Sequence, residues 1–174
     1  MGSRFSLLER ATAPAALAVI LAVACASRPE TPRQLAQRLP PMPVETLAGE
    51  PTQIDTILQG RVALVSLWAT WCDGCQREIE ALNRLDETTS SRHDAVVIGV
   101  AVGEPRAKVA EFARSRRLRY VQLIDTTFAF ADALGERHVP ATLVVDRSGR
   151  IVYRGNALDA EGLSALRGAI EREP

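Results

Sequence analysis

The stretch Val62-Ala-Leu-Val-Ser-Leu-Trp-Ala-Thr-Trp-Cys-Asp-Gly-Cys75 decides the fold. It starts as a continuous apolar run of the kind that forms a buried strand. Residues 76–85 behind it repeat their apolar side chains with the period of a helix. Cys72 and Cys75 therefore lie at a strand-to-helix junction, where unpaired amides and the helix dipole favour a thiolate. A second cysteine within disulfide reach makes this a predicted redox pair.

Length and charge limit the classes of protein that this chain can belong to. Its 174 residues, 47% of them hydrophobic, suit one domain with a sizeable core. The formal net charge is zero, so composition gives no reason to expect nucleic acid as a partner. There are three cysteines, and Cys25 is left over once the close pair is set aside.

The N-terminus explains the extra cysteine. Residues 1–24 have the positive start, short apolar run and small-residue end of a signal peptide. Ala22-Val-Ala-Cys25 also resembles a bacterial lipobox, which predicts lipid on Cys25. An ordinary cleaved signal peptide and an uncleaved anchor remain as alternatives. All three place the domain outside the cytoplasm, in the periplasm, where disulfides persist. Proline-rich residues 25–43 are predicted to be a linker that tethers the domain.

The folded domain is predicted to span residues 44–174. Strands are expected at Val44–Leu47, Thr52–Ile54, Val62–Trp68, Asp94–Val102, Val121–Ile124, Ala141–Val145 and Ile151–Arg154. Helices are expected at Asp55–Gln59, Cys72–Thr88, Pro105–Arg117, Thr126–Leu134 and Asp159–Arg172. This order predicts an α/β fold with an N-terminal β-hairpin and a mixed sheet that carries helices on both faces.

Two stretches resemble one family. Leu67–Cys75 resembles the W-A-T-W-C-x-x-C signature of membrane-tethered, thioredoxin-like thiol–disulfide oxidoreductases of the TlpA/ResA type. His138–Val152 resembles their second signature, G-V-P-x-T followed by strand, turn and strand. The resemblance covers the chain from about residue 43 to its end and implies a thioredoxin fold. It also implies that Pro140 is a cis-proline facing the cysteines, with the backbone of Val139 open to an extended substrate.

Three positions depart from the family pattern. Gly74 stands where the family usually has proline, and His138 where it often has glycine. Ser66 stands where thioredoxin has a buried acid. Glu78 occupies a position at which the ResA and cytochrome-maturation branches carry a glutamate linked to thiol reactivity. A role for Glu78 in tuning the thiols and a plain solvated charge both remain open.

Helix geometry and the family resemblance assign roles in the predicted site. Cys72, nearer the helix start, is the expected nucleophile, and Cys75 is the expected resolving thiol and the more buried of the two. The charge of Asp73 disfavours the Cys72 thiolate, which predicts a reducing rather than an oxidising pair. Substrate contacts are expected from Trp71, Asp73, Gly74, Val139 and Pro140.

The predicted function is reduction of disulfides in exported proteins, with apocytochrome c as one candidate substrate. The expected electron donor is a membrane thiol reductase, and the protein is expected to act as a lipid-anchored monomer. We expect no metal and no cofactor beyond the Cys72–Cys75 disulfide, because the chain offers no second Cys/His ligand pair. A copper metallochaperone or non-catalytic binding module on the same fold is the alternative. A peroxidase is disfavoured because the P-x-x-x-T-x-x-C pattern is missing.

Overall fold

The computed structural model describes residues 37–90 and 95–172. The predicted signal peptide, Cys25 and the first part of the predicted linker lie outside these residues. None of the helices in the described part is both long and apolar enough to cross a membrane.

Seven strands form one mixed sheet in the order β2-β1-β5-β4-β3-β6-β7. Their bounds are β1 Val44–Thr46, β2 Pro51–Thr52, β3 Val62–Trp68, β4 Ala95–Val102, β5 Val121–Asp125, β6 Ala141–Val145 and β7 Ile151–Gly155. The central strands β3, β4 and β5 run parallel, and β6 pairs antiparallel with β3. Strands β1 and β2 form the predicted N-terminal hairpin. The α/β prediction with a mixed sheet is confirmed.

Five helices cover the two faces of the sheet. They are α1 Ile54–Leu58, α2 Asp73–Ser90, α3 Arg106–Ser115, α4 Ala129–Leu134 and α5 Ala160–Glu171. Helices α1 and α4 pack on one face, and α2, α3 and α5 on the other. Every residue of β3 is buried because side chains alternate between these two covered faces. This explains why the stretch before the cysteines is so rich in apolar residues.

The N-terminal boundary of the folded unit lies earlier than predicted. Residue Arg38 forms an isolated bridge with Arg150 beside β7, and its guanidinium donates to the carbonyl of Ser148. The next residue, Leu39, is buried in the core. Residues 37–43, predicted as linker, therefore pack against the domain. Five prolines between residues 26 and 43 suggested a tether, but the edge of β7 offers free backbone groups with which residues 37–39 pair.

Several predicted element ends differ from the observed ones by one to three residues. The second strand was expected to run to Ile54, but this residue begins α1 and its side chain is buried in the core. Helix α4 was expected from residue 126 and begins at Ala129, because Phe128 before it adopts a left-handed backbone with φ 64°. The predicted stop of this helix at Gly135 is confirmed. These are end effects, and the number and order of elements in the described domain match the prediction.

Candidate active site

Cys72 caps the N-terminus of α2. Its carbonyl oxygen accepts the N–H of Gln76 at 3.1 Å, and its Sγ accepts the N–H of Cys75 at 3.1 Å. The sulfur thus takes the place of the hydroxyl or carboxylate oxygen that usually caps a helix. A hydrogen bond from a backbone amide and the helix dipole both favour negative charge on this atom. The two sulfurs are joined in a disulfide.

Burial does not distinguish the two cysteines. Each is 5% exposed, so the prediction that Cys75 is the more buried is wrong for the disulfide form. Both sulfurs lie in one apolar cluster that also contains Trp68 and Val109. The assignment of Cys72 as nucleophile therefore depends on its place at the helix N-terminus and not on exposure.

The loop that carries Pro140 lies against the cysteine pair. The Val139–Pro140 peptide bond is cis, as the resemblance predicted. The side chain of Val139 packs against the cluster that contains both sulfurs. A Cβ atom at Gly74 would lie 3.3 Å from Cδ of Pro140, so glycine lets the proline ring come close to the C-x-x-C turn. Asp73 is exposed in the first turn of α2.

An open cavity of about 370 Å³ adjoins the site. Trp71, Phe128, His138 and Val139 belong to its lining. The large apolar side chains that are exposed in the described residues are Trp71, at 64%, and Phe128, at 47%. Two exposed aromatic side chains on one cavity beside a disulfide form a surface suited to an apolar part of a substrate.

Phe128 is held in place by an unusual backbone and by a glycine beneath it. Its φ of 64° is rare for a residue with a side chain. Its ring covers Gly103, where a Cβ atom would come within 1.9 Å of the ring. A strained residue at a cavity suggests a functional reason for its conformation. The sequence analysis missed Phe128, although it is one of only four phenylalanines in the chain.

Glu78 is hydrogen-bonded to the loop before α5. Its Oε1 accepts the N–H of Leu158 at 3.0 Å, and its Oε2 is buried without a hydrogen-bond partner among the described residues. No hydrogen bond joins it to either cysteine in that part of the chain. Burial raises the pKa of Glu78 above its ordinary value, and the nearby charge of Asp159 adds to the rise. The hydrogen bond from Leu158 and the charge of Arg77 oppose it.

Because the pKa of Glu78 is raised, the stability of the protein is expected to depend on pH through this residue. Because folding favours the protonated carboxyl, Glu78 contributes stability below its unfolded pKa of about 4.5, and this is lost as pH rises through the folded value. Glu78→Gln, which cannot ionise, is therefore expected to raise the free energy of unfolding at neutral pH. The gain should fade toward about pH 4. Urea unfolding of the oxidised protein at both pH values measures it.

Glu80→Gln is the matched control, because Glu80 lies on the same helix and its side chain is 85% exposed. It should show no comparable dependence on pH. A Glu78→Gln protein that is less stable than wild type at neutral pH would contradict the prediction.

Ser66, at the position of the thioredoxin acid, lies in a buried row of small and polar residues. It pairs with Gly99 on β4 and with Thr142 on β6, and Gly99 pairs in turn with Gln122 on β5. Paired residues of neighbouring strands share a face, so the row crosses the sheet on the side of α2. It contains no carboxylate, in agreement with the sequence.

A carboxylate that the sequence analysis missed lies elsewhere. Glu104 follows β4 and is only 3% exposed. It accepts two hydrogen bonds from Thr70, two residues before Cys72. The carboxyl ends of neighbouring parallel strands meet at one edge of a sheet. Glu104 after β4 could therefore have been predicted to lie near Thr70 after β3.

The sheet order, the capped cysteine pair and the cis-proline beside it define a protein of the thioredoxin fold with a C-x-x-C disulfide. Solved structures of similar proteins superpose on this chain and share this fold. The chain belongs to the AhpC/TSA family, which it matches over residues 35–154.

Three similar proteins indicate the branch of this fold. The thiol-disulfide oxidoreductase ResA of Geobacillus thermodenitrificans is 29% identical over 96 residues, which are 55% of each chain. The thiol:disulfide interchange protein DsbE of Escherichia coli is 31% identical over 107 residues, 61% of this chain and 55% of DsbE. A secreted thiol-disulfide isomerase from Corynebacterium glutamicum superposes with a TM-score of 0.67 at 21% identity, covering 77% of this chain and 86% of the isomerase. The chain spans about half the length of the curated relatives ResA and DsbE that it matches.

Proposed function

We propose that this protein is a thiol–disulfide oxidoreductase of the ResA/DsbE type that reduces disulfides of exported proteins. The observation that carries the proposal is the Cys72 sulfur, which caps α2, accepts an amide hydrogen bond and is joined to Cys75 beside the Val139–Pro140 loop. A purely structural role fits poorly, because a disulfide that closes so short a loop removes little entropy from the unfolded chain.

The reaction needs both cysteines in the reduced form. The Cys72 thiolate attacks one sulfur of a substrate disulfide, forms a mixed disulfide and releases the other substrate sulfur as a thiolate. The Cys75 thiolate then attacks Cys72 Sγ, which forms the Cys72–Cys75 bond and releases the second substrate thiolate. Two electrons pass to the substrate, whose thiolates take up protons from water. The position of Cys72 at the N-terminus of α2 stabilises it as the attacking thiolate.

Asp73 supports reduction as the direction of exchange. Its charge, in the first helical turn next to Cys72, disfavours the thiolate that would stabilise the reduced form. We therefore expect a reduction potential near the roughly −270 mV of thioredoxin, and far from the roughly −120 mV of a strong oxidant. Equilibration with glutathione or dithiothreitol measures it. A value above about −180 mV would remove the reductant role. The variant Asp73→Asn is the matched test of the cause and should raise the potential.

The proposed location is outside the cytoplasm, on a lipid anchor. The N-terminal signal and the lipobox-like residues before Cys25 support it, and one structural relative is described as secreted. The expected electron donor is a membrane thiol reductase, and exported proteins, with apocytochrome c as one candidate, are the expected substrates. Mass spectrometry of the mature N-terminus tests the anchor, since a lipid on Cys25 adds a defined mass.

Glu78 is proposed to influence thiol protonation from the second turn of α2. It lies three residues after Cys75 and is half-buried, which supports more than a solvated charge. The Glu78→Gln variant tests this when the rate of Cys72 alkylation is followed against pH. An unchanged profile would leave Glu78 with a role in stability alone.

Two other functions are distinguished by simple measurements. A copper metallochaperone would bind Cu(I) when reduced and would fail to reduce disulfides. A peroxidase would consume peroxide, but the peroxidase pattern ahead of the cysteine is missing. Val65 and Ala69 hold the positions of its proline and threonine, and both are buried apolar residues.

A further inference from the structure

Thr70 is held at all three of its polar groups by side chains from elsewhere in the chain. Its N–H donates to Oε2 of Glu104 at 2.6 Å, and its hydroxyl donates to Oε1 of the same carboxylate at 2.6 Å. Its carbonyl oxygen accepts from Nε2 of Gln76 at 2.9 Å. The guanidinium of Arg116 donates to Oε1 of Gln76 at 2.9 Å, which fixes the orientation of the Gln76 amide. Together these hydrogen bonds hold Thr70 in a single conformation.

The Glu104 carboxylate is anionic although it is buried. Burial opposes its ionisation, but hydrogen bonds from Lys108 and Thr70 outweigh burial and hold the pKa of Glu104 below its ordinary value. Nζ of Lys108 lies 2.6 Å from Oε1 of Glu104, one helical turn away. Lys108 is also the only lysine in the sequence, where every other basic side chain apart from the two histidines is arginine. Charge-assisted hydrogen bonds of this kind are short and strong.

Thr70 sits in the turn that delivers the nucleophile. The N–H of Cys72 donates to the carbonyl of Ala69 at 3.2 Å, which closes a β-turn with Thr70 and Trp71 at its centre. This turn leads from β3 directly into the cap of α2. The position of the Cys72 sulfur and of the exposed Trp71 ring therefore depends on the geometry of this turn.

The two redox forms depend on Glu104 to different extents. In the oxidised protein the Cys72–Cys75 bond itself fixes Cys72 against α2. In the reduced protein that covalent link is gone, which leaves the turn to its hydrogen bonds and to the packing of Cys72 in its apolar cluster. The reduced form is the one that attacks a substrate, so the contacts of Thr70 matter most at the moment of reaction.

We propose that Glu104 is a positioning residue for thiol–disulfide exchange: its buried carboxylate, paired with Lys108, fixes the turn of residues 69–72 and so the Cys72 sulfur in the reduced protein. The proposal rests on the oxidoreductase function proposed above. It makes Glu104, 34 residues from Thr70 in sequence, part of the support of the active site without contact with substrate.

Two variants test the proposal in the full-length protein. Glu104→Gln removes the charge, and Thr70→Val removes the hydroxyl while keeping both charges and the side-chain shape. Each is expected to slow reduction of a small aromatic disulfide, such as 5,5′-dithiobis(2-nitrobenzoate), by about tenfold or more, since a misplaced reacting group costs up to about a hundredfold. Each should also shift the equilibrium with glutathione toward the Cys72–Cys75 disulfide, because the reduced form loses more than the oxidised form. Thr70→Ser keeps the hydroxyl, so its reduction rate and its equilibrium with glutathione should stay within about twofold of wild type, far less than the roughly tenfold loss expected above.

The control is Glu80→Gln, which breaks an exposed ion pair of the same i, i+4 spacing with Arg84. Exposed pairs contribute little, so its rate and equilibrium should stay within about twofold of wild type. The proposal is overturned if Glu104→Gln and Thr70→Val lower the unfolding free energy of both redox forms equally and leave rate and equilibrium unchanged. If Glu104→Gln does not fold, the Thr70→Val result decides. A wild-type protein that exchanges with glutathione but reduces no protein disulfide would refute the proposed function and leave the glutathione test of Glu104 valid.

Discussion

Cys72→Ser is expected to abolish disulfide reduction, and Cys75→Ser is expected to keep the attack but to stall at the mixed disulfide. The reason is the geometry of the pair: Cys72 caps α2 and holds the stabilised sulfur, whereas Cys75 lies inside the first turn. Serine at position 72 has no sulfur, so the mixed disulfide with the substrate cannot form there. Turnover of a protein disulfide measures the loss, and non-reducing gels with mass spectrometry identify the trapped substrate.

Cys25→Ser provides the control for these variants, since it removes the third thiol of the chain. Its turnover should equal that of wild type, and adding it to Cys75→Ser should leave the trapped complex intact. A Cys72→Ser protein that accumulates mixed disulfides while Cys75→Ser stays inert would reverse the two assignments. Such a result is informative because both cysteines are equally buried in the disulfide form.

Phe130→Ala is expected to lower the free energy of unfolding by about 3–5 kcal/mol, the range for removal of a fully buried aromatic ring. Phe130 is wholly buried in the core and anchors α4 to the sheet. Neighbouring side chains collapse only partly into the space that the ring leaves, which adds to the lost transfer energy. Urea unfolding of the oxidised protein gives the value.

Phe128→Ala is the matched control, two residues away on the same segment and 47% exposed. It should cost little stability, because its ring already faces solvent over the cavity. It should instead slow the reduction of a protein disulfide while leaving the small aromatic disulfide unaffected. A large loss of stability from Phe128→Ala, or a small one from Phe130→Ala, would contradict the assignment of Phe128 to the cavity wall and of Phe130 to the core.

The strands were predictable because their signal is local. β3, β4 and β6 are mostly apolar runs, interrupted by Ser66 and Thr142, and all of their residues are buried because both faces of the sheet are covered. The ends of elements were less predictable. Ile54 reads as a strand residue by its branched side chain, yet it starts a helix because the core beneath α1 takes its side chain. Leu39 follows the same rule, since burial against the sheet outweighs the prolines around it.

The chemistry of the site divides in the same way. Cys72, Cys75 and Pro140 belong to motifs that are visible in the sequence, as does the exposed Trp71 directly before Cys72. Glu104 carries no such pattern, because one glutamate after a strand is ordinary until the partner strand is known. The same holds for Phe128, whose place on the cavity follows from a backbone conformation that its residue type does not predict.

The sequence by itself determined the redox pair, its position at a helix start and the succession of strands and helices. These depend on spacing within one helical turn or on periodicity along one strand, which the chain fixes locally. Only the tertiary structure decided which remote groups reach the pair. β3 and β4 lie side by side and parallel, so Thr70 and Glu104, each just beyond its strand, meet at one edge of the sheet. Glu78 is turned toward Leu158 by a loop that comes 80 residues later. Such contacts follow from strand order and packing, because side-chain burial and hydrogen bonding act between residues that sequence distance does not relate.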